Sequence, residues 1–336
     1  MKSLQRTLAV MAATVILGAI ATACGKASSS ASESNDGKLK IVTTVSPITS
    51  IVSSVVGDLA DVRGVIPEGA DSHTFEPPPS TAKVLAESDV FFVNGLKLDD
   101  PTRDLAKDNQ KRGAEVVELG TQTITPDQYI YDFSFPKEGG KPNPHLWTDP
   151  PYAEDYARIV RDTVVRRDPK NADAYRANYD RFAAEVDRLD AAMKTATATV
   201  PKPELLTYHD AYAYFAAHYG WKVIGAIQVS SFEDPTPKEV ADLETQIKAE
   251  HVPAIFGSEV FPSKVLAQIG KDTGVRYVDT LRDDDLPGKP GDADHSWIGL
   301  MRADFVTMVS SLGGDAGPLK ALTVDSAASD KAHYPQ

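Results

Sequence analysis

The chain has 336 residues, of which 42% are hydrophobic and 25% charged, and its formal charge is −13. This is ordinary globular composition, enough for two domains of roughly 130 residues each. The acidic balance and the lack of any Lys/Arg-rich run exclude a phosphate-backbone partner, so no nucleic acid is expected. Cys24 is the only cysteine, which excludes an internal disulfide.

The chain opens with "MKSLQRTLAVMAATVILGAIATAC", in which Lys2 and Arg6 precede an apolar stretch from Leu8 to Ala23. A basic start, an apolar run short of a comfortable membrane span and small residues at its end predict an export signal over residues 1–23. "ATAC" followed by Gly25 resembles a bacterial lipobox, although Ala21 stands where leucine is commonest. The resemblance implies lipidation of Cys24, with residues 24–37 ("KASSSASESNDG" after Cys24 and Gly25) as a flexible tether. Ordinary cleavage after Ala21-Thr22-Ala23 is the alternative.

From Lys38 the pattern repeats a short β-rich run, a turn and an amphipathic helix: "KLKIVTTV", "PITSIVSSVVGDLA", "VRGVI", "PPSTAKVLAES", "DVFFVNG", "AEVVEL". Such alternation predicts an α/β lobe with a parallel sheet over 38–165. Next, Tyr175, Tyr179, Phe182, Val186, Leu189 and Met193 recur at spacings of three and four, and no Gly or Pro occurs from Asn171 to Val200. One long, stiff linking helix is expected within 166–200. A second series, from "ELLTYHD" through "VRYVDT" to "HSWIGLMRADFVTMVSSL", predicts a similar lobe over 201–315. The small polar residues after Gly314 predict a flexible tail over 316–336. The expected fold is two Rossmann-like lobes, parallel sheets flanked by helices, joined by one rigid helix with a cleft between them.

Three of the seven histidines sit at strand or helix ends. His73 follows the strand around Val62 to Ile66 in "VIPEGADSHTFEPPP". His145, in "PNPHLWTDP", precedes a helix for which Asp149-Pro150 suits an N-cap and first turn. His209 ends a strand in "LLTYHDAY", and Asp279 ends another in "VRYVDTL". Ligands in open parallel sheets bind in the crevice at the carboxyl ends of the strands, so all four point at one cleft. Nitrogen and oxygen donors without a thiol suit a borderline divalent cation. The positive ends of nearby helices oppose this by only about 0.3–1 kcal/mol each, against about 10 kcal/mol for a four-ligand site.

These residues also carry a family resemblance. "GADSHTFEPPPS", "NPHLWTDP", "TYHDAYAYFAAHYG", the run from "EDPTPKEV" to "VRYVDTL", and "LMRADFVTMVSSL" resemble the zinc- and manganese-binding solute-binding proteins of bacterial ABC importers, the cluster joined by a helical backbone. The likeness spans Leu39 to Leu312. It implies that His73, His145, His209 and Asp279 are the metal ligands; Asp283, Asp284 and Asp285 lie close enough to take the place of Asp279.

Three imidazoles and one carboxylate, with no obvious room for water, favour Zn²⁺, with Mn²⁺ as the alternative. The absence of histidine from Gln122 to Asn143 runs against zinc, whose receptors often carry a His-rich loop there. Expected partners are an ABC permease, the divalent ion and the membrane through Cys24, with the chain acting as a monomer. Of the other histidines, His218 lies two and a half turns past His209, His251 falls in a polar turn, His333 in the tail, and His295 is a rim residue. Two rival readings are an exported metallohydrolase and a surface adhesin. Neither H-E-x-x-H nor G-x-S-x-G is present, and a His209, Asp210, Ser258 triad lacks a nucleophile elbow.

Overall fold

The computed structural model describes residues 37–227, 235–324 and 332. The export signal and Cys24 lie outside the described residues. The first lobe runs β1 (Leu39–Thr43), α1 (Ser46–Val56), β2 (Ala60–Gly64), α2 (Ser80–Glu87), β3 (Val90–Val93), α3 (Asp100–Asn109), β4 (Glu115–Glu118) and α4 (Leu119–Thr123). Its four strands are all parallel, in the order β2-β1-β3-β4. The central β3, Val-Phe-Phe-Val, is buried on both faces, which is why it reads as a continuous apolar run and not as an alternation.

Helix α5 (Pro150–Arg167) leads into α6 (Ala172–Thr197), the predicted linking helix. The first residues assigned to that linker, 166 and 167, complete α5 instead. Tyr175, Phe182, Val186, Leu189 and Met193 of the predicted stripe are buried in α6, while Tyr179 is half-buried and donates to Glu154 Oε1 at 3.1 Å. An unbroken helix of 26 residues contacts α1, α5 and the later helix over Trp297–Ser311 and so ties both lobes to one rigid element.

The second lobe runs β5 (Glu204–Thr207), α7 (Ala213–Tyr219), β6 (Lys222–Ala226), α8 (Pro237–Glu250), β7 (Ala254–Ser258), α9 (Lys264–Thr273), β8 (Arg276–Leu281), α10 (Trp297–Ser311) and α11 (Gly317–Lys320). Its sheet is parallel in the order β6-β5-β7-β8, the same order as the first. In each sheet the order reverses at the first strand, which opens a crevice at the carboxyl ends.

The expected flexible tail needs correction at its start. Residues 317–320 form α11, which packs on α6 and α10 and buries Leu319 completely. One apolar side chain seats this turn, and it was hidden among small polar neighbours. Leu319→Ala is expected to cost about 2–5 kcal/mol by urea unfolding; a change within about 0.5 kcal/mol marks the segment as loosely held after all.

Candidate metal centre

Each of the three predicted histidines is fixed by its own loop. The residue after β2 that starts the turn is Asp71; its Oδ1 accepts from His73 N at 2.9 Å and its Oδ2 from Thr74 Oγ1 at 2.9 Å. This side-chain turn holds the loop before the prolines that lead into α2. At the second position, Asn143 Oδ1 accepts from both His145 N (3.0 Å) and His145 Nδ1 (2.8 Å). The Nδ1 proton is thereby assigned, and Nε2 carries the lone pair. Asn143 is itself held by donating to Asp132 Oδ2 and to the Asp210 carbonyl, both at 2.7 Å. His209 lies just past β5, where Thr207 Oγ1 donates to its carbonyl at 2.6 Å.

The three side chains converge. His73 Nε2 lies 3.2 Å from His145 Nε2 and 3.0 Å from His209 Nε2, and the last two are 3.0 Å apart. Burial, followed by the charge of His209, lowers the His73 pKa to about 3. Burial alone lowers that of His209 to about 3. His145 is held well below the ordinary imidazole value by burial and then by the other two rings. All three are therefore neutral near pH 7, the state in which imidazole ligates a metal.

Asp279 does not join them. It lies within β8, not beyond its end, with Val278 and Leu281 buried and Asp279 and Thr280 exposed between them, where the register to the neighbouring strand shifts. The acids at the cleft are in the loop after Leu281. Asp283 is 3% exposed; its Oδ1 accepts from Tyr208 OH, and its Oδ2 makes no hydrogen bond and lies 3.7 Å from His209 Nε2. Asp284 accepts from Ser72 Oγ through Oδ2, while its buried Oδ1 has no hydrogen-bond partner. One ligand atom each from His145, Asp283 and Asp284 lie within 4.8 Å of one another. Burial raises the Asp283 pKa to about 6, and burial together with the Asp283 charge pushes Asp284 well above the carboxylate range.

The main chain of this acidic loop is pinned from the opposite lobe and the linking region. Ser46 Oγ donates to the Asp284 carbonyl at 2.6 Å, Trp147 Nε1 to that of Asp283 at 2.9 Å, and Gly69 N to Asp285 Oδ1 at 2.8 Å. Trp297 Nε1 in turn donates to the Trp147 carbonyl at 2.8 Å. Two carboxylates desolvated beside three neutral nitrogen donors are costly without a positive partner. A divalent cation supplies that partner, so the donor set fits one.

Sequence reading missed Asn143, Tyr208, Ser72 and Phe135, whose ring centroid is 5.7 Å from those of His73 and His145. Asn143, two residues before His145 in a proline-flanked loop, was the legible signal among them. The expectation that no room for water adjoins the site also changes: a cavity of about 240 Å³ is lined by His73 and His209. His218 and His295 have local partners. His218 Nδ1 lies 2.6 Å from Asp149 Oδ1, so the predicted N-cap carboxylate of α5 pairs there and makes no cap hydrogen bond. His295 is buried, with Nδ1 3.2 Å from the Pro287 carbonyl, and is not a rim residue. Ser258 Oγ accepts from Val260 N and Phe261 N at 3.1 and 3.0 Å, a turn-forming role.

Two matched α/β lobes on one rigid helix, with a metal-suited donor set between them, define a two-lobed solute-binding receptor. Residues 41–311 match the family described as zinc-uptake complex component A, periplasmic. Among curated relatives, the manganese-binding lipoprotein MntA of Halalkalibacterium halodurans is 28% identical over 300 residues, covering 89% of this chain and 96% of that one. The iron-binding protein YfeA of Yersinia pestis is 26% identical over 278 residues, covering 82% and 87% respectively. Among solved structures, the periplasmic zinc-binding protein TroA from Treponema pallidum superposes with a TM-score of 0.74 at 23% identity, covering 82% of this chain and 99% of TroA. The chain belongs to the zinc-uptake component A family, the metal-binding substrate receptors of ABC importers, and is not an enzyme.

Proposed function

We propose that the chain captures zinc between its lobes through His73, His145, His209 and Asp283, and delivers it to a membrane permease. The carrying observation is the triangle of Nε2 atoms with edges of 3.0–3.2 Å. An ion about 2.0–2.1 Å from each corner stands about 1 Å above that plane, with the fourth position facing the acidic loop. Asp283 Oδ2 and Asp284 Oδ1 are acceptors without a hydrogen bond on that side, and Asp283 Oδ2 is the one 3.7 Å from His209 Nε2. Three imidazoles outweigh the carboxylates in softness, which supports zinc over manganese. The unbroken α6 supports a modest shift of the lobes on loading and argues against a wide hinge.

Protein purified without affinity nickel is expected to carry close to one equivalent of zinc by elemental analysis. It is also expected to keep zinc against an excess of manganese. The His209→Ala protein should lose its metal on dialysis; equal retention by both proteins ends this reading.

We also propose that Cys24 is lipidated and anchors the receptor, as a monomer, on the outer face of the cell membrane. The lone cysteine at the end of the export signal supports this, and no helix among the described residues is long and apolar enough to cross a membrane. Cys24→Ala should release the protein into the soluble or culture fraction, whereas unchanged membrane association rules out the anchor.

A further inference from the structure

The cavity of about 240 Å³ beside the histidine triangle is far larger than an ion needs. It has room for about eight waters and falls just under the roughly 300–1,000 Å³ of drug-sized sites. His73 and His209 form one wall; Lys97, Lys141, Ser134 and Phe135 contribute to the rest, and no acidic residue lines it. A mouth built only to admit a bare cation calls for acids, as does a chain whose net charge is −13. Lysines stand there instead.

Two further observations make the lysines more than incidental. Neither Lys97 nor Lys141 makes a side-chain hydrogen bond or ion pair within the described residues, so both ammonium groups stand at the cavity with no carboxylate of the protein beside them. Lys97 is also held in a backbone conformation that side-chain-bearing residues avoid. Gly95, Leu96 and Lys97 have φ of 77°, 51° and 66°, three left-handed residues in succession. The loop is held there by Asp99, whose Oδ2 and Oδ1 accept from Asn94 N at 2.7 Å and Gly95 N at 3.0 Å, and by burial of Leu96 and Leu98. These contacts fix the position of Lys97 at the cavity wall.

We infer that the ion is bound together with a small multidentate carboxylate that fills this cavity, its carboxylates paired with Lys97 and Lys141 and one oxygen facing the ion beside His73 and His209. The inference rests on the receptor reading above. Its chemistry is charge balance: the oxyanion offsets the dication and the two ammonium groups at once, and it is small enough for the cavity.

Citrate is the probe, with the full chain in metal-free form and zinc held at fixed free concentration by a metal buffer. Saturating citrate is expected to raise the apparent zinc affinity of the wild type about tenfold at equal free zinc. Radiolabelled citrate should be retained at one per protein, and only when zinc is present. The Lys97→Ala/Lys141→Ala protein should show less than about a twofold effect and retain no citrate, with Lys97→Arg/Lys141→Arg restoring both. The inference is overturned if affinity at equal free zinc is indifferent to citrate. It is overturned equally if the alanine protein binds bare zinc more tightly, which makes the lysines a gate, or if inorganic phosphate matches citrate, which removes the carboxylate assignment. Failure of the receptor reading looks different: the wild type then binds no zinc with or without citrate.

Discussion

Asp283→Asn is expected to weaken zinc binding by about a hundredfold or more, while Asp279→Asn leaves it within about twofold. The two acids are four residues apart, yet one is 3% exposed with an oxygen 3.7 Å from His209 Nε2 and the other is exposed on a strand. Removing the Asp283 charge takes away the carboxylate nearest His209, whereas Asp279 is exposed to solvent away from the imidazoles. Competition titration against a chromophoric chelator reads both variants on one scale. A larger loss for Asp279→Asn reverses the assignment and restores the sequence expectation.

Zinc affinity should be level from about pH 8 to about pH 7 and then fall about tenfold per pH unit as pH drops below about 6. The sign follows from competition between proton and cation. Asp283 ligates only when ionised, and burial has raised its pKa to about 6. Below that pH the proton occupies the oxygen the ion needs. The imidazoles, whose ordinary pKa is about 6.5, do not compete there, because burial has lowered His73 and His209 to about 3. They add a steeper loss only in strong acid. Affinity measured across this range separates the two origins: Asp283→Asn should abolish the step near pH 6. A step that persists in this variant and moves with histidine substitution assigns it to the imidazoles.

These two results turn on where a strand ends, which is where reading from sequence met its limit. In "VRYVDTLRDDDLP" every aspartate follows an apolar strand, and nothing local says whether the chain leaves the sheet at Val278 or at Leu281. Pairing decides it. Val278 and Leu281 lie in register with Phe256 and Ser258 of β7, with a shift between them that leaves Asp279 within the strand and exposed. The same applies to α11, where one buried leucine outweighs a polar context.

Periodicity and donor chemistry were local and therefore readable from the chain alone. Apolar residues at spacings of three and four on α6, alternating α/β segments of two similar lobes, and three histidines at element ends all predict what the fold displays. The motif resemblance, in turn, pointed correctly to a divalent-metal receptor of the ABC-importer family. Tertiary structure alone decided which carboxylate faces the imidazoles and that a lysine-lined cavity adjoins the ion. Each of these depends on side chains more than 50 residues apart being brought within a few ångströms, as in Ser72 with Asp284 or Tyr208 with Asp283. Such distances are set by the packing of two sheets on one shared helix, and no local propensity encodes them.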